Sequence, residues 1–180
     1  MSYSFKQFAR QVAVASGLVT IGMSAYAAQT STASASASAT IVSPIAITKT
    51  SDLVFGKLAV GAVGGNVAIS TADVVSISGA GTTVTQPAGS TGNPAAAVFG
   101  VTGEAGFTYA ITLPTDGAVT ISDGASHTMA VNGFVSNPGT SDTLSGAGTD
   151  TLKVGATLVV GNNQVAGTYT GTFNVTVSYN

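Results

Sequence analysis

Apolar and polar residues alternate with period two in most of the apolar stretches that follow residue 30. Successive side chains of an extended chain point to opposite faces, so this pattern reads as half-buried β-strand. The longest run is Thr168–Tyr179. There Tyr169, Phe173, Val175, Val177 and Tyr179 share one face, with Gly171 among them, and Thr170, Thr172, Asn174, Thr176 and Ser178 share the other. A slip of one residue would bury the threonines, so the strand's register is specified against a hydrophobic core. A second regular run lies near the other end, where Ala33, Ala35, Ala37, Ala39 and Ile41 alternate with Ser34, Ser36, Ser38 and Thr40. Pro44 then interrupts regular pairing. Ile45 and Ile47, followed by Leu53 and Phe55, predict one or two short strands around a turn at Lys49–Asp52.

Further strands are predicted at Asn66–Ser70, Val74–Ser78, Thr82–Gln86, Ala96–Thr102, Phe107–Leu113, Ala118–Ser122, His127–Phe134 and Thr151–Val160. Turn signals rich in Gly, Pro, Asn and Asp separate them. The two longest, Pro87–Pro94 and Asn137–Gly148, are expected to be exposed loops. Many short strands at this spacing predict an all-β sandwich or barrel. No window after residue 27 carries a helical period.

The start of the chain is different. Lys6 and Arg10 precede an apolar run from Val12 to Met23, and Ala25-Tyr26-Ala27 places small residues at both positions a signal peptidase inspects. Residues 1–27 are therefore expected to be a secretory signal peptide. Their apolar part is shorter than the roughly 20 residues a membrane helix needs. The expected organisation is signal peptide 1–27, N-terminal extension 28–43 and β-domain 44–180, in a protein exported from the cytoplasm.

Composition narrows the function classes. After residue 27 the basic side chains are Lys49, Lys57 and Lys153, set against seven acids. That balance argues against nucleic acid, which needs a basic stripe to neutralise phosphates. Cysteine is absent, so neither disulfides nor thiol chemistry are available. Abundant Val, Ile and Thr with little charge is opposite to the usual signature of disorder.

The residues that could carry chemistry are few. His127 is the single histidine, in the stretch DGASH with Asp123, and no GxSxG elbow accompanies it. A histidine at a strand edge after a turn is the plainer reading. Asp116, Asp123, Asp142 and Asp150 all sit in turn contexts where their side chains bond local backbone. Residues 146–152, GAGTDTL, match part of a calcium-binding nonapeptide, a device that works through tandem copies, and here there is one. Asn174-Val175-Thr176 fits a glycosylation sequon by chance, inside the last strand. No enzymatic activity, metal or cofactor is expected.

The two ends carry a resemblance. Tyr179 is a penultimate aromatic, alternating valines precede it, and Gly167 stands fourteen places from the end; Leu53-Val54-Phe55-Gly56 opens the domain. These features resemble bacterial pilins assembled by the chaperone-usher route, with LxFG similar to their archaic branch. The stretches ATIVSPIAIT and GTYTGTFNVTVSY also resemble small exported bacterial β-proteins of unassigned function. The cysteine pair of many such pilins is absent, and the extension is alanine-rich where theirs carry larger side chains.

The resemblance implies an immunoglobulin-like β-sandwich lacking one strand. The N-terminal extension of one subunit, through Ala33, Ala35, Ala37, Ala39 and Ile41, would complete the next. Tyr169, Phe173, Val175, Val177 and Tyr179 would form one wall of the acceptor groove. It further implies a homopolymeric fimbria at the cell surface, reached through the periplasm, with a periplasmic chaperone and an outer-membrane usher as partners. The residues alone leave three placements of the extension open: donation to a neighbour, pairing in its own sheet, or a linker. The alternative function is a monomeric secreted binding module, for carbohydrate or surface adhesion, using the Pro87–Pro94 and Asn137–Gly148 loops. Sugar sites usually stack on exposed aromatics, and Trp is absent.

Overall fold

The computed structural model describes residues 29–87 and 93–180; the expected signal peptide and the centre of the Pro87–Pro94 loop lie outside the described residues. The chain divides into two units, Met1–Ala39 and Thr40–Asn180. In the first, the described residues 29–39 form no regular secondary structure and are exposed.

The second unit is built on strands: β1 (Ala46–Ser51), β2 (Gly65–Ile69), β3 (Val75–Ser78), β4 (Ala97–Thr102), β5 (Thr108–Thr112), β6 (Val119–Ser122), β7 (Thr128–Asn137), β8 (Ser141–Thr143), β9 (Thr149–Val160) and β10 (Thr176–Tyr179). Among the described residues there is no helix. Seven strands form one antiparallel sheet organised around β9. Along one side of β9 the first half pairs with β4, from Thr102↔Thr149 to Ala97↔Val154, and the second half with β2, from Ile69↔Ala156 to Gly65↔Val160. Along the other side runs β7, with β6 outside it, while β1 flanks β4 and β3 flanks β2. A second sheet has the order β10-β5-β8. The fold is an all-β sandwich of two antiparallel layers, compatible with the immunoglobulin-like arrangement.

The hydrophobic alternation of β9 explains its central place. Leu152, Val154, Ala156, Leu158 and Val160 all point inward and are buried. Each large one contributes about 1.5–3 kcal/mol on burial, far more than a surface pair could. Gly155 marks the point where β4 gives way to β2. A Cβ there would run into the carbonyl of Ile69 and the backbone of Ser70, so the close approach of the strands requires glycine.

Two apolar clusters result. Under the three-stranded sheet, Ala97, Phe99 and Val101 of β4 and Leu152 and Val154 of β9 pack against Tyr109 and Ile111 of β5 and Leu144. Tyr109 is fully buried. Its hydroxyl donates to Asp150 Oδ2 at 2.6 Å, and burial together with that carboxylate pushes its pKa upward. At the other half of the large sheet, Val67, Val119, Met129, Val131, Ala156, Leu158 and Val160 form the second cluster. No strand of the smaller sheet contributes to it; its cover is Leu53, Phe55, Leu58, Val60, Tyr169 and Phe173, all outside strands.

Several expectations need correction. Thr168–Tyr179 is not one continuous strand: Thr170 makes an isolated bridge to Ser122, and the ladder resumes only at Thr176. Of Thr82–Gln86, Thr85 alone bridges, to Ala59. The turn placed at Lys49–Asp52 is instead the end of β1, which runs to Ser51 through a register shift. The Asn137–Gly148 loop contains β8 and the buried Leu144.

Asp73, in the β2–β3 turn, ties three elements together. Its φ of 63° lies in the left-handed region that Asp and Asn tolerate. Its carboxylate accepts the Ala96 N–H at 2.8 Å, ahead of β4, and Lys153 Nζ of β9 at 3.0 Å. The Ala96 bond first, and Lys153 second, hold the Asp73 pKa below its ordinary value. A depressed carboxylate stabilises the fold above its unfolded pKa of about 3.9 and loses that contribution as pH falls through the folded value.

Two outcomes are expected. Gly155→Ala destabilises by roughly 1–3 kcal/mol or more in urea unfolding, while Gly146→Ala, where an added Cβ meets nothing, stays within about 0.5 kcal/mol. Asp73→Asn keeps the turn but removes the charge, so its urea midpoint declines less steeply than the wild type's below about pH 4.

Candidate functional site

A cavity of about 1060 Å³ lies over the half of the large sheet that the smaller sheet does not cover. Its floor is apolar: Val119 and Ile121 of β6, Met129 and Val131 of β7, Leu158 and Val160 of β9. Two irregular segments, residues 52–60 and 164–173, form its rims.

Each rim touches its neighbours at single points. Val54 pairs with Ala95 and Ala59 with Thr85, while the other rim is fastened by the Thr170–Ser122 bridge. Gly171 follows, so close to β6 that a Cβ would stand 2.6 Å from the Thr120 carbonyl. Tyr169 braces its own loop: the hydroxyl donates to the Val165 carbonyl at 2.8 Å and accepts from Gln164 Nε2 at 2.9 Å. Phe173 stands at the border between the two clusters, 6.3 Å from Phe99 and 5.1 Å from Phe134, ring centre to ring centre.

From Phe173 to Tyr179 the chain keeps strand-like alternation, with Phe173, Val175, Val177 and Tyr179 half-buried and the residues between them exposed. Only Thr176–Tyr179 is paired, with β5, and β10 ends the smaller sheet. β10 thus has a free side, and of the unladdered residues upstream of it, 171–173 line the cavity. Such an arrangement can accept an extended peptide: the edge supplies backbone donors and acceptors, and alternate side chains enter the cavity.

The acceptor residues expected from sequence, Tyr169, Phe173, Val175, Val177 and Tyr179, thus line one continuous inward face. Ala33, Ala35, Ala37, Ala39 and Ile41 belong to no strand, and Ile41 is 96% exposed, an unusual state for its side chain. Sequence reasoning did not assign the opposite rim of Leu53, Phe55, Leu58 and Val60 to the groove. Its signal was the change of parity across Gly56-Lys57, which puts residues 53 and 55, then 58 and 60, toward the same cavity.

Ionisable groups lie at the margins. Lys49 and Asp52 pair at 2.5 Å on the rim. Beyond the Thr170 bridge, Asp123 Oδ2 stands 2.6 Å from His127 Nδ1 and Oδ1 accepts the Ala125 N–H, which together hold the Asp123 pKa below its ordinary value. Among the described residues no three His, Cys, Asp or Glu side chains gather as metal ligands.

Residues 45–179 match a domain of unknown function, DUF4402, and the chain belongs to that family. No curated protein and no solved structure matches the chain.

Tyr169→Phe removes the brace and is expected to cost about 0.5–1.5 kcal/mol, read as a lower denaturation midpoint. Hydrogen exchange should quicken across residues 164–170, with β9 unchanged.

Proposed function

We propose that this member of the DUF4402 family is a structural subunit of a bacterial surface filament, an incomplete sandwich finished by the N-terminal extension of a neighbouring copy. The observation that carries the reading is the pairing of complementary deficits in one chain. Residues 171–173, which continue upstream from the edge strand β10, line an apolar cavity, and a strand-patterned segment, Ala33–Ile41, joins no sheet.

Physical chemistry supports the match. Nine extended residues reach about 30 Å, enough to run beside β10 and residues 171–175. Alanine buries little apolar surface at about 25 cal/mol per Å², so the backbone ladder, at roughly 0.5–1.5 kcal/mol net per bond, carries much of the hold. The serines and Thr40 would face solvent.

Polarity along the domain favours a chain of subunits. The extension joins the domain at Ser43, beside Glu104 at the Thr102 end of β4, while Ala97 at the other end of that strand lines the cavity. A head-to-tail contact between root and groove generates a filament when its rotation does not close into a ring. On this reading a periplasmic chaperone lends a strand before assembly and an outer-membrane usher receives the subunit, as the pilin resemblance implies.

Deleting residues 28–42 from the mature chain tests the proposal. The truncated domain should lose polymer and bind a hydrophobic dye in the cavity. A synthetic peptide of residues 28–43 should displace the dye and stabilise the domain by about 2.7 kcal/mol at a hundredfold excess over its Kd. A truncated domain whose stability ignores the peptide contradicts the filament reading and favours the secreted binding module.

A further inference from the structure

Asn132-Gly133, the single Asn-Gly step of the chain, sits at an irregularity of β7. Asn132 pairs with Thr157 of β9 and the next pair is Val135 with Gly155, so Gly133 and Phe134 share the one position opposite Ala156. This is a β-bulge, and Gly133 takes a left-handed φ of 56° in it. The Gly133 N–H turns out of the ladder and donates to Asp116 Oδ1 at 2.7 Å, in the loop before β6. The N–H of the adjacent Gly117 donates to Asn132 Oδ1 at 2.9 Å.

We propose that Asn132 is a self-modification site, deamidated by an intramolecular reaction that Asp116 and the Gly117 N–H promote. The nucleophile is the Gly133 nitrogen and the electrophile is Asn132 Cγ. A short covalent path already joins them, so little entropy is lost in bringing them together. Glycine adds no Cβ to obstruct the approach. Two obstacles remain, and one loop meets both. The amide nitrogen must give up its proton, and the Asp116 carboxylate stands within hydrogen-bond reach of it, in the position of a general base. Negative charge gathers on Oδ1 as Cγ becomes tetrahedral, and the Gly117 N–H already points at that oxygen, as an oxyanion donor does.

The reaction balances with water as its one co-reactant. The Gly133 N–Cγ bond forms while the Gly133 proton passes to Asp116. Asp116 hands the proton to Nδ2, the Cγ–Nδ2 bond breaks, and ammonia leaves a succinimide. Water, which reaches the exposed Gly133, then opens the ring. Cleavage of the new N–Cγ bond gives aspartate; cleavage of the original peptide bond gives isoaspartate, with an added methylene in the β7 main chain. Either product sets a second carboxylate beside Asp116, one residue from Val131 of the cavity floor. This chemistry is independent of polymerisation.

The full mature chain is incubated at neutral pH beside a synthetic peptide of residues 128–140. Both are followed by ammonia release and by peptide mapping for aspartate and isoaspartate at position 132. The folded chain should convert at least about tenfold faster, a modest share of what a placed base contributes. Asn137, followed by Pro138 whose nitrogen carries no proton, should remain an amide in both. Asp116→Asn keeps an oxygen that accepts the Gly133 N–H and loses the base, so its rate should fall to that of the peptide or below. Asn132→Gln, which would have to close a larger ring, should lose the fast phase of ammonia release.

A folded chain that keeps Asn132 as an amide for as long as the peptide does, or longer, overturns the proposal, and this comparison needs no variant. A loop contact with a structural role alone survives in Asp116→Asn and leaves the rate unchanged. That result, in a variant folded by circular dichroism, overturns the assignment of Asp116 as the base.

Discussion

The apolar face of a sheet has to be covered along its whole length, and here the second layer covers half. Three strands shield one end of β4 and β9 and produce a dense cluster around Tyr109. Beyond Phe173 the cover changes to two irregular segments, each fastened by isolated bridges, with an unfilled volume between them and the floor. The ladder of β10 stops at Thr176 while the inward-facing pattern continues upstream to Phe173. The fold, its weak rim and its open edge are all expressions of that one uncovered half.

The rest of the molecule holds that uncovered half in place. β9 is paired on both sides over most of its length, which anchors the floor whatever happens at the rims. Gly155 lets two partner strands share one side of β9, and Asp73 pins the turn beside their junction. The floor of the cavity is hydrocarbon from β6, β7 and β9, and the charged side chains that line it, Lys49, Asp52 and Lys57, belong to one rim. On the proposed reading these are the properties wanted in an acceptor: a rigid floor, a soft rim and one unpaired edge.

Much of this was legible in the sequence, and the limits have physical causes. Alternation reports which face a side chain takes, and it gave the inward set Tyr169, Phe173, Val175, Val177 and Tyr179 correctly. It does not report whether a backbone partner is present, so residues 171–175 read as strand although no ladder reaches them. β8 escaped for the converse reason: Ser141-Asp142-Thr143 is a polar triplet whose pairing with β5 is a backbone property with no side-chain signature. Leu53, Phe55, Leu58 and Val60 were legible as apolar, but the kink at Gly56-Lys57 hid their common direction. The Tyr179 hydroxyl's bond to the Ser43 carbonyl was illegible, because the two residues are 136 positions apart and no periodicity connects them.

The chain lacks cysteine, so an engineered pair offers a direct reading of whose groove the extension enters. One population carries Ser38→Cys and an affinity tag, a second carries Asn174→Cys without it, both on the solvent face of the proposed pair of strands, and the two are assembled together and oxidised. The account predicts a disulfide joining tagged to untagged subunits. A doubly substituted chain that instead crosslinks within itself at every dilution, with no product between the two single variants, would contradict it.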